Sequence, residues 1–168
     1  SRGLGDVYKR QDDEYDDTTP TPNKVRDSKV DIKLVYGTTG KNIAINSTGK
    51  DSLITLKSKT RKINVDGTKS NGLASNEGIG LFAGAGGKIQ ITGDSLVNGA
   101  EITVKNGASA LVSLGKDANN TASEIDAKYS KIEYDGNGYA IYSDGVGTVN
   151  LSGAELTLKG NSTAFDVD

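Results

Sequence analysis

From Lys29 onward apolar and polar residues alternate in short runs that stop at glycine. K-I-N-V-D-G at 62–67, K-I-Q-I-T-G at 88–93, K-I-E-Y-D-G at 131–136 and T-V-N-L-S-G at 148–153 share this form. A period of two puts Ile63 and Val65, Ile89 and Ile91, Ile132 and Tyr134, and Val149 and Leu151 on one face, opposite Asn64, Gln90, Glu133 and Asn150. The pattern predicts half-buried strands closed by turns. A second set reads E-I-T-V-K-N-G at 101–107 and E-L-T-L-K-G at 155–160, with L-I-T-L-K-S at 53–58 as a related member. N-I-A-I-N-S at 42–47 and the alternation Val30, Ile32, Leu34 add further strands.

Their order also repeats. K-I-N-V-D-G, N-G-L-A-S-N-E-G, K-I-Q-I-T-G, E-I-T-V-K-N-G and A-S-A-L-V-S-L return as K-I-E-Y-D-G, N-G-Y-A-I-Y-S-D-G, T-V-N-L-S-G, E-L-T-L-K-G and N-S-T-A-F-D-V. The offset between partners falls from 69 to 53 residues, which predicts insertions in the first copy, notably the Gly78 to Gly87 run. Conserved order with drifting spacing suits a solenoid whose turns accept insertions.

A Greek-key sandwich would favour aromatic anchors and cross-sheet connections. Here strands of about five residues follow one another across about two to four turn residues, as in a coil of parallel strands. The expected fold is all-β: a right-handed, single-stranded parallel β-helix over 29–168. Its stacked coils would lie about 4.8 Å apart around an inner face of Ile, Val and Leu. With about 20 residues per coil it would have about six or seven rungs and a length near 30 Å. Lys116 to Ser130 fits least well: Ala118, Ala122, Ile125 and Tyr129 could share a short helical face, but Asn119, Asn120 and Thr121 favour a loop leading into the next strand.

Residues 1–28 read as a disordered leader and linker, since Asp12, Asp13, Glu14, Asp16 and Asp17 repel one another and Pro20 and Pro22 keep the chain extended. Ser1 to Gln11 resembles an adapter-derived leader and is set apart from the fold. No basic segment followed by an apolar one is visible there.

Composition narrows the chemistry. Of 168 residues 22 are glycine, 34% are hydrophobic and only 5% aromatic, which suits a narrow core. The absence of His and Cys excludes a Ser-His-Asp triad, a thiol nucleophile, a disulfide framework and an ordinary zinc site. With 20 basic and 22 acidic residues, no global field draws the chain to nucleic acid or anionic lipid. Apolar runs are too short for a membrane span, so no insertion by this segment is expected.

The runs G-I-G-L-F-A-G-A-G-G-K-I-Q-I-T-G at 78–93 and N-G-Y-A-I-Y-S-D-G-V-G-T-V-N-L-S-G at 137–153 resemble passenger-domain repeats of Gram-negative autotransporter adhesins, over about residues 40–168. The resemblance implies a β-helical stalk or adhesin segment on the extracellular side of the outer membrane. It further implies partners among host or bacterial surface proteins or glycans, and additional rungs of the parent chain at one or both ends. The 168 residues themselves show neither the signal sequence nor the translocator barrel of the whole-protein pattern, as expected of a fragment. Absent cysteines fit passage of an unfolded chain through a pore.

Candidate chemistry is sparse. Gly93-Asp94-Ser95-Leu96 spells an esterase nucleophile block, but it lacks a histidine and directly follows a strand, so a turn accounts for it. Glu133, Asp135, Asn137, Gly138 and Asp144 occupy positions 1, 3, 5, 6 and 12 of an EF-hand-like spacing. Strands rather than helices flank them, so a tight D-G-N-G turn competes with a calcium site at Asp135, Asn137 and Asp144. The Gly84 to Gly87 stretch has no following G-K-[ST] and opens no helix, which argues against a phosphate cradle. Polysaccharide lyases and glycoside hydrolases also use β-helices, but need convergent carboxylates. Glu101, Glu133, Asp135 and Glu155 are interleaved with Lys88, Lys105, Lys131 and Lys159, as on a solvated wall. A tail-fibre-like β-helix is a third reading. Tyr134 takes the place of Val65 and is expected inside. Tyr139 and Tyr142 differ in parity, so a regular strand would send one of them outward as a binding contact. The chain is therefore expected to be non-catalytic and to carry no cofactor.

Overall fold

A computed structural model describes residues 31–36, 42–57 and 62–168. The leader and linker expected over 1–28 lie outside the described residues. The described residues form fourteen strands and no helix. Strands β1 (Asp31–Val35), β4 (Lys62–Asp66), β7 (Glu101–Lys105), β10 (Lys131–Asp135) and β13 (Glu155–Lys159) make sheet A. Sheet B contains β2 (Ile43–Thr48), β5 (Ile79–Gly84), β8 (Ser109–Leu114), β11 (Tyr139–Ser143) and β14 (Thr163–Val167). Sheet C contains β3 (Leu53–Leu56), β6 (Lys88–Ile91), β9 (Glu124–Asp126) and β12 (Thr148–Asn150). Every pairing between these strands is parallel, and each strand pairs with the one three elements away, so the chain winds as a parallel β-helix.

The described coils number five rather than six or seven, and the fifth has strands only in sheets A and B. Coils begin at Asp31, Lys62, Glu101, Lys131 and Glu155, so successive turns take 31, 39, 30 and 24 residues. Every one of these turns is longer than the roughly 20 residues assumed, which is why the count falls. The stack spans about 20 Å from first to fifth coil at about 4.8 Å per step, shorter than expected.

Inward residues stack on their own kind, because the parallel register places equivalent positions one above another. Sheet A supplies the rows Ile32–Ile63–Ile102–Ile132–Leu156 and Leu34–Val65–Val104–Tyr134–Leu158. Sheet B contributes Ile45–Leu81–Leu111–Ile141–Phe165, and sheet C contributes Ile54–Ile89–Ile125–Val149. In the middle coils these side chains form one buried cluster. Tyr134 is fully buried, as its place in the Val65 row requires.

The two-coil repeat survives in four of its five pairs. The exception is N-G-L-A-S-N-E-G, which forms no sheet strand. It belongs to an excursion held by an antiparallel bridge between Thr68 and Ala74. The strand equivalent to Tyr139–Ser143 is Ile79–Gly84, so the insertions in the first copy lie between β4 and β5 and between β6 and β7, on either side of the Gly78–Gly87 run instead of within it. Lys116–Ser130 is not helical: a turn held by the Asp117 carboxylate, which accepts the N–H groups of Asn119 and Thr121 at 2.8 and 2.9 Å, leads into β9.

Candidate functional site

The outer faces of the three sheets differ in chemistry. Outward residues of sheet A form charge ladders in which sign alternates from coil to coil. The first strand positions read Asp31, Lys62, Glu101, Lys131, Glu155, and the fifth positions from the second coil onward read Asp66, Lys105, Asp135, Lys159. Between them lies Lys33, Asn64, Thr103, Glu133, Thr157. The Lys159 ammonium donates to Glu133 Oε1 at 2.9 Å, and this hydrogen bond is the main reason its pKa is raised. Sheet C is also polar outside apart from Leu53, with Lys88 facing Glu124 at 3.8 Å and Asn150 Nδ2 donating to Asp126 at 3.2 Å.

Sheet B is different. Its outward row is Asn46–Phe82–Val112–Tyr142–Asp166, with three apolar or aromatic side chains in successive coils. Val112 is only 6% exposed yet lies outside the core cluster, between the larger Phe82 and Tyr142 of adjacent coils. The Tyr139 ring extends this strip. It stacks on Tyr142 with centroids 6.4 Å apart and planes inclined at 30°.

Both candidate tyrosines therefore face outward, and neither points to the core. The parity expectation assumed a regular strand, but Ala140 and Ile141 are consecutive buried residues. The strand bends at Ala140, where the other coils carry Ala44, Gly80, Ala110 and Ala164, and the bend returns Tyr139 to the side of Tyr142. Small side chains are needed here: a Cβ on Gly80 would lie 2.6 Å from the Ala110 carbonyl oxygen of the next coil. The Tyr142 hydroxyl donates to Asp168 Oδ2 at 2.6 Å. This bond, with the nearby Asp166 and Asp144 charges, leaves its pKa pushed up to about 12. The tyrosine remains neutral at physiological pH and offers a ring face beside carboxylates.

The residues proposed for a cation do not converge. Asp135 and Asn137 lie at the corner between sheets A and B, and Asp144 lies at the corner between B and C, with β11 between them. Asp144 is already engaged: its Oδ2 accepts the Gly115 N–H of the preceding coil at 2.8 Å. Its Oδ1 accepts from Val146 at 3.0 Å and Gly147 at 2.9 Å. These donors, Gly147 first, hold its carboxyl below the usual range. Among the described residues no three acidic side chains gather into a potential metal site. The G-D-S-L segment forms the turn after β6, with Asn98 Nδ2 donating to Asp94 Oδ1 at 2.9 Å.

Phe82 and Val112 escaped the sequence reading, although Phe82 follows the inward Leu81 by one position and must therefore face out. Comparisons with protein-family models, with curated proteins and with solved structures find no match.

Proposed function

We propose that this chain is a non-catalytic β-helical segment of a surface-displayed adhesin of the autotransporter-passenger type, and that it binds through the outer face of sheet B. The observation that carries this reading is the Phe82–Val112–Tyr142–Tyr139 strip, set on a rod whose other two faces are charged or polar apart from Val35 and Leu53 in the first coil. Aromatic rings on a rigid, flat sheet bury large area at little conformational cost, and they stack on sugar rings as readily as on apolar side chains. A regular parallel solenoid suits display at a distance from a membrane, because each coil depends only on its neighbours. The wall carboxylates favour structure over catalysis: Glu133 is engaged by Lys159, and Lys131 separates Glu101 from Glu155.

The test is binding of the labelled protein to host cells, bacterial cells and glycan surfaces, alongside assays for reducing or unsaturated sugar release from polyuronates. Saturable binding without turnover is expected, lost in Phe82→Ser and Tyr142→Ser while the fold persists. Sugar release would overturn it in favour of a lyase or hydrolase, and a trimeric mass would favour a tail-fibre assembly. A parent reading frame carrying an export signal upstream and a translocator barrel downstream would support the surface location.

A further inference from the structure

The strip on sheet B is wider than its central row. Ile79 precedes Phe82 on β5 and Leu114 follows Val112 on β8; both are partly exposed and both lie outside the core cluster. The Phe82 ring lies over Gly84, where a Cβ would come within 2.7 Å of its Cε1. Aliphatic groups and ring faces therefore continue from the second coil to Tyr139 and Tyr142 in the fourth.

The charge on this face is one-sided. Every strand of sheet A carries a lysine, whereas none of the five strands of sheet B carries Lys or Arg. Carboxylates gather at the tyrosine end. Asp166 follows Tyr142 in the outward row, Asp168 accepts the Tyr142 hydroxyl at 2.6 Å, and Asp144 is close enough to act on the same hydroxyl. Among the described residues none of the three is in a salt bridge, and the pairs Lys88–Glu124 and Lys159–Glu133 lie on sheets C and A. At the same corner in the first and third coils Lys50 adjoins Asp51 and Lys116 adjoins Asp117, so charge is balanced there. Because Asp166 points outward, a further coil stacked on β14 would cover Phe165 and Val167 yet leave Asp166 at the surface beside Tyr142.

A neutral sugar would use the rings and leave the carboxylates idle, and an acidic one would be repelled by them. A guanidinium engages both, because its plane stacks on an aromatic face while its N–H fork bonds carboxylate oxygens. The methylene stem behind it covers apolar surface.

We propose that the outer face of sheet B docks an arginine-bearing polypeptide segment, with guanidinium groups stacked on Tyr139 and Tyr142 and paired with Asp166 and Asp168, and with aliphatic parts of the same segment over Phe82 and Val112. The inference rests on the reading of sheet B as the binding face, and it narrows the partner from surface proteins or glycans to a basic polypeptide.

The experiment titrates the full chain with short synthetic peptides of alternating Arg and Thr, Lys and Thr, or Gln and Thr. The Arg peptide is expected to bind saturably, about tenfold more tightly than the Gln peptide, with the Lys peptide between them. The double variant Asp166→Asn, Asp168→Asn should erase most of that preference, and Tyr139→Ser should weaken the Arg peptide. Glu101→Gln, on sheet A, should change neither. Equal binding of the Arg and Gln peptides would overturn the inference, as would a preference that survives the double aspartate variant. Tighter binding of a chitosan oligomer than of the Arg peptide would overturn it in favour of an amino sugar. Cell binding that is lost in Phe82→Ser but unchanged in the double aspartate variant would overturn it and leave the adhesin reading standing. Arg-peptide binding by a chain that binds no cell would uphold it and remove the adhesin reading.

Discussion

The Tyr134 hydroxyl donates to the carbonyl of Gly107, one coil away, at 2.9 Å. The same oxygen lies 3.0 Å from the Ala108 carbonyl and accepts the Gly138 N–H at 2.9 Å. A side chain in an aliphatic row thus reaches the corner between sheets A and B and ties two coils together there. Gly136 and Gly138 leave room for it, since a Cβ on either would lie 2.8 Å from the hydroxyl oxygen.

Tyr134→Phe keeps the ring and strips the corner of its donor and acceptor. Leaving buried backbone groups unpaired costs about 1–3 kcal/mol, so urea unfolding should show a loss in that range with an unchanged slope. A loss within error would mean that the corner re-pairs with water. Burial raises the Tyr134 pKa above 10.0. A raised folded value means that its contribution is complete below pH 10.0 and is lost as pH climbs through the higher folded value.

Asp144 and Asp66 contribute to the acid limb. The folded pKa of Asp144 is lowered from 3.8, chiefly by the Gly147 N–H, and Asp66 is lowered likewise, chiefly by Thr68. Depressed carboxyls stabilise above the unfolded value of 3.8 and lose that contribution as pH falls through their lower folded values. Thermal melts should therefore be flat from about pH 8 to about pH 5 and fall below about pH 4. Asp144→Asn should melt lower at neutral pH, with the gap to wild type closing in acid. A gap independent of pH would exclude the carboxylate as its cause.

The charge ladders make a salt-dependent prediction. Lys131→Glu places three glutamates in register at positions 101, 131 and 155. Like charges directly opposed on neighbouring strands should cost about 1 kcal/mol in dilute buffer and much less at about 1 M salt, where the Debye length is about 3 Å. Adding Glu155→Lys should recover part of the loss. Equal stability at both salt concentrations would show that the alternation contributes nothing.

Strands with strict alternation and a glycine stop, such as Lys62–Asp66 and Lys131–Asp135, were legible because their inward rows repeat at every coil. Others were not, for physical reasons. Glu124–Asp126 has three residues and one inward side chain, Ile125, too little to show a period. Ile79–Gly84 reads as a glycine-rich insertion because Gly80 meets the neighbouring coil's backbone at the bend, where a larger residue would not fit. Matching N-G at 71 and 137 aligned a turn with a strand, since N-G marks any tight turn. For the candidate site, alternation alone sends Tyr139 and Tyr142 to opposite sides, and only the bend at Ala140 reunites them.

Gly147 tests the closeness of the coils at the corner between sheets B and C. A Cβ there would overlap the Ser113 carbonyl of the preceding coil, as one on Gly87 would overlap that of Ser47. Gly147→Ala should lower stability by about 2 kcal/mol or more, in the range of overpacking substitutions, and speed amide exchange in β12 before β7. A neutral substitution would mean that the coils stand further apart at this corner.

In-register stacking of coils is tested most directly by disulfide trapping, which a chain without cysteines permits cleanly. Asn64 and Thr103 are opposed on adjacent coils, and Glu133 follows Thr103 one coil further on. Neighbouring strands stand about 4.8 Å apart and alternate ones about 10 Å, while a disulfide needs Cα atoms within about 7 Å. Oxidation should link Asn64→Cys with Thr103→Cys, and Thr103→Cys with Glu133→Cys, in the folded monomer, but not Asn64→Cys with Glu133→Cys. Efficient linking of the last pair, or failure of the first two in folded protein, would contradict the parallel coil.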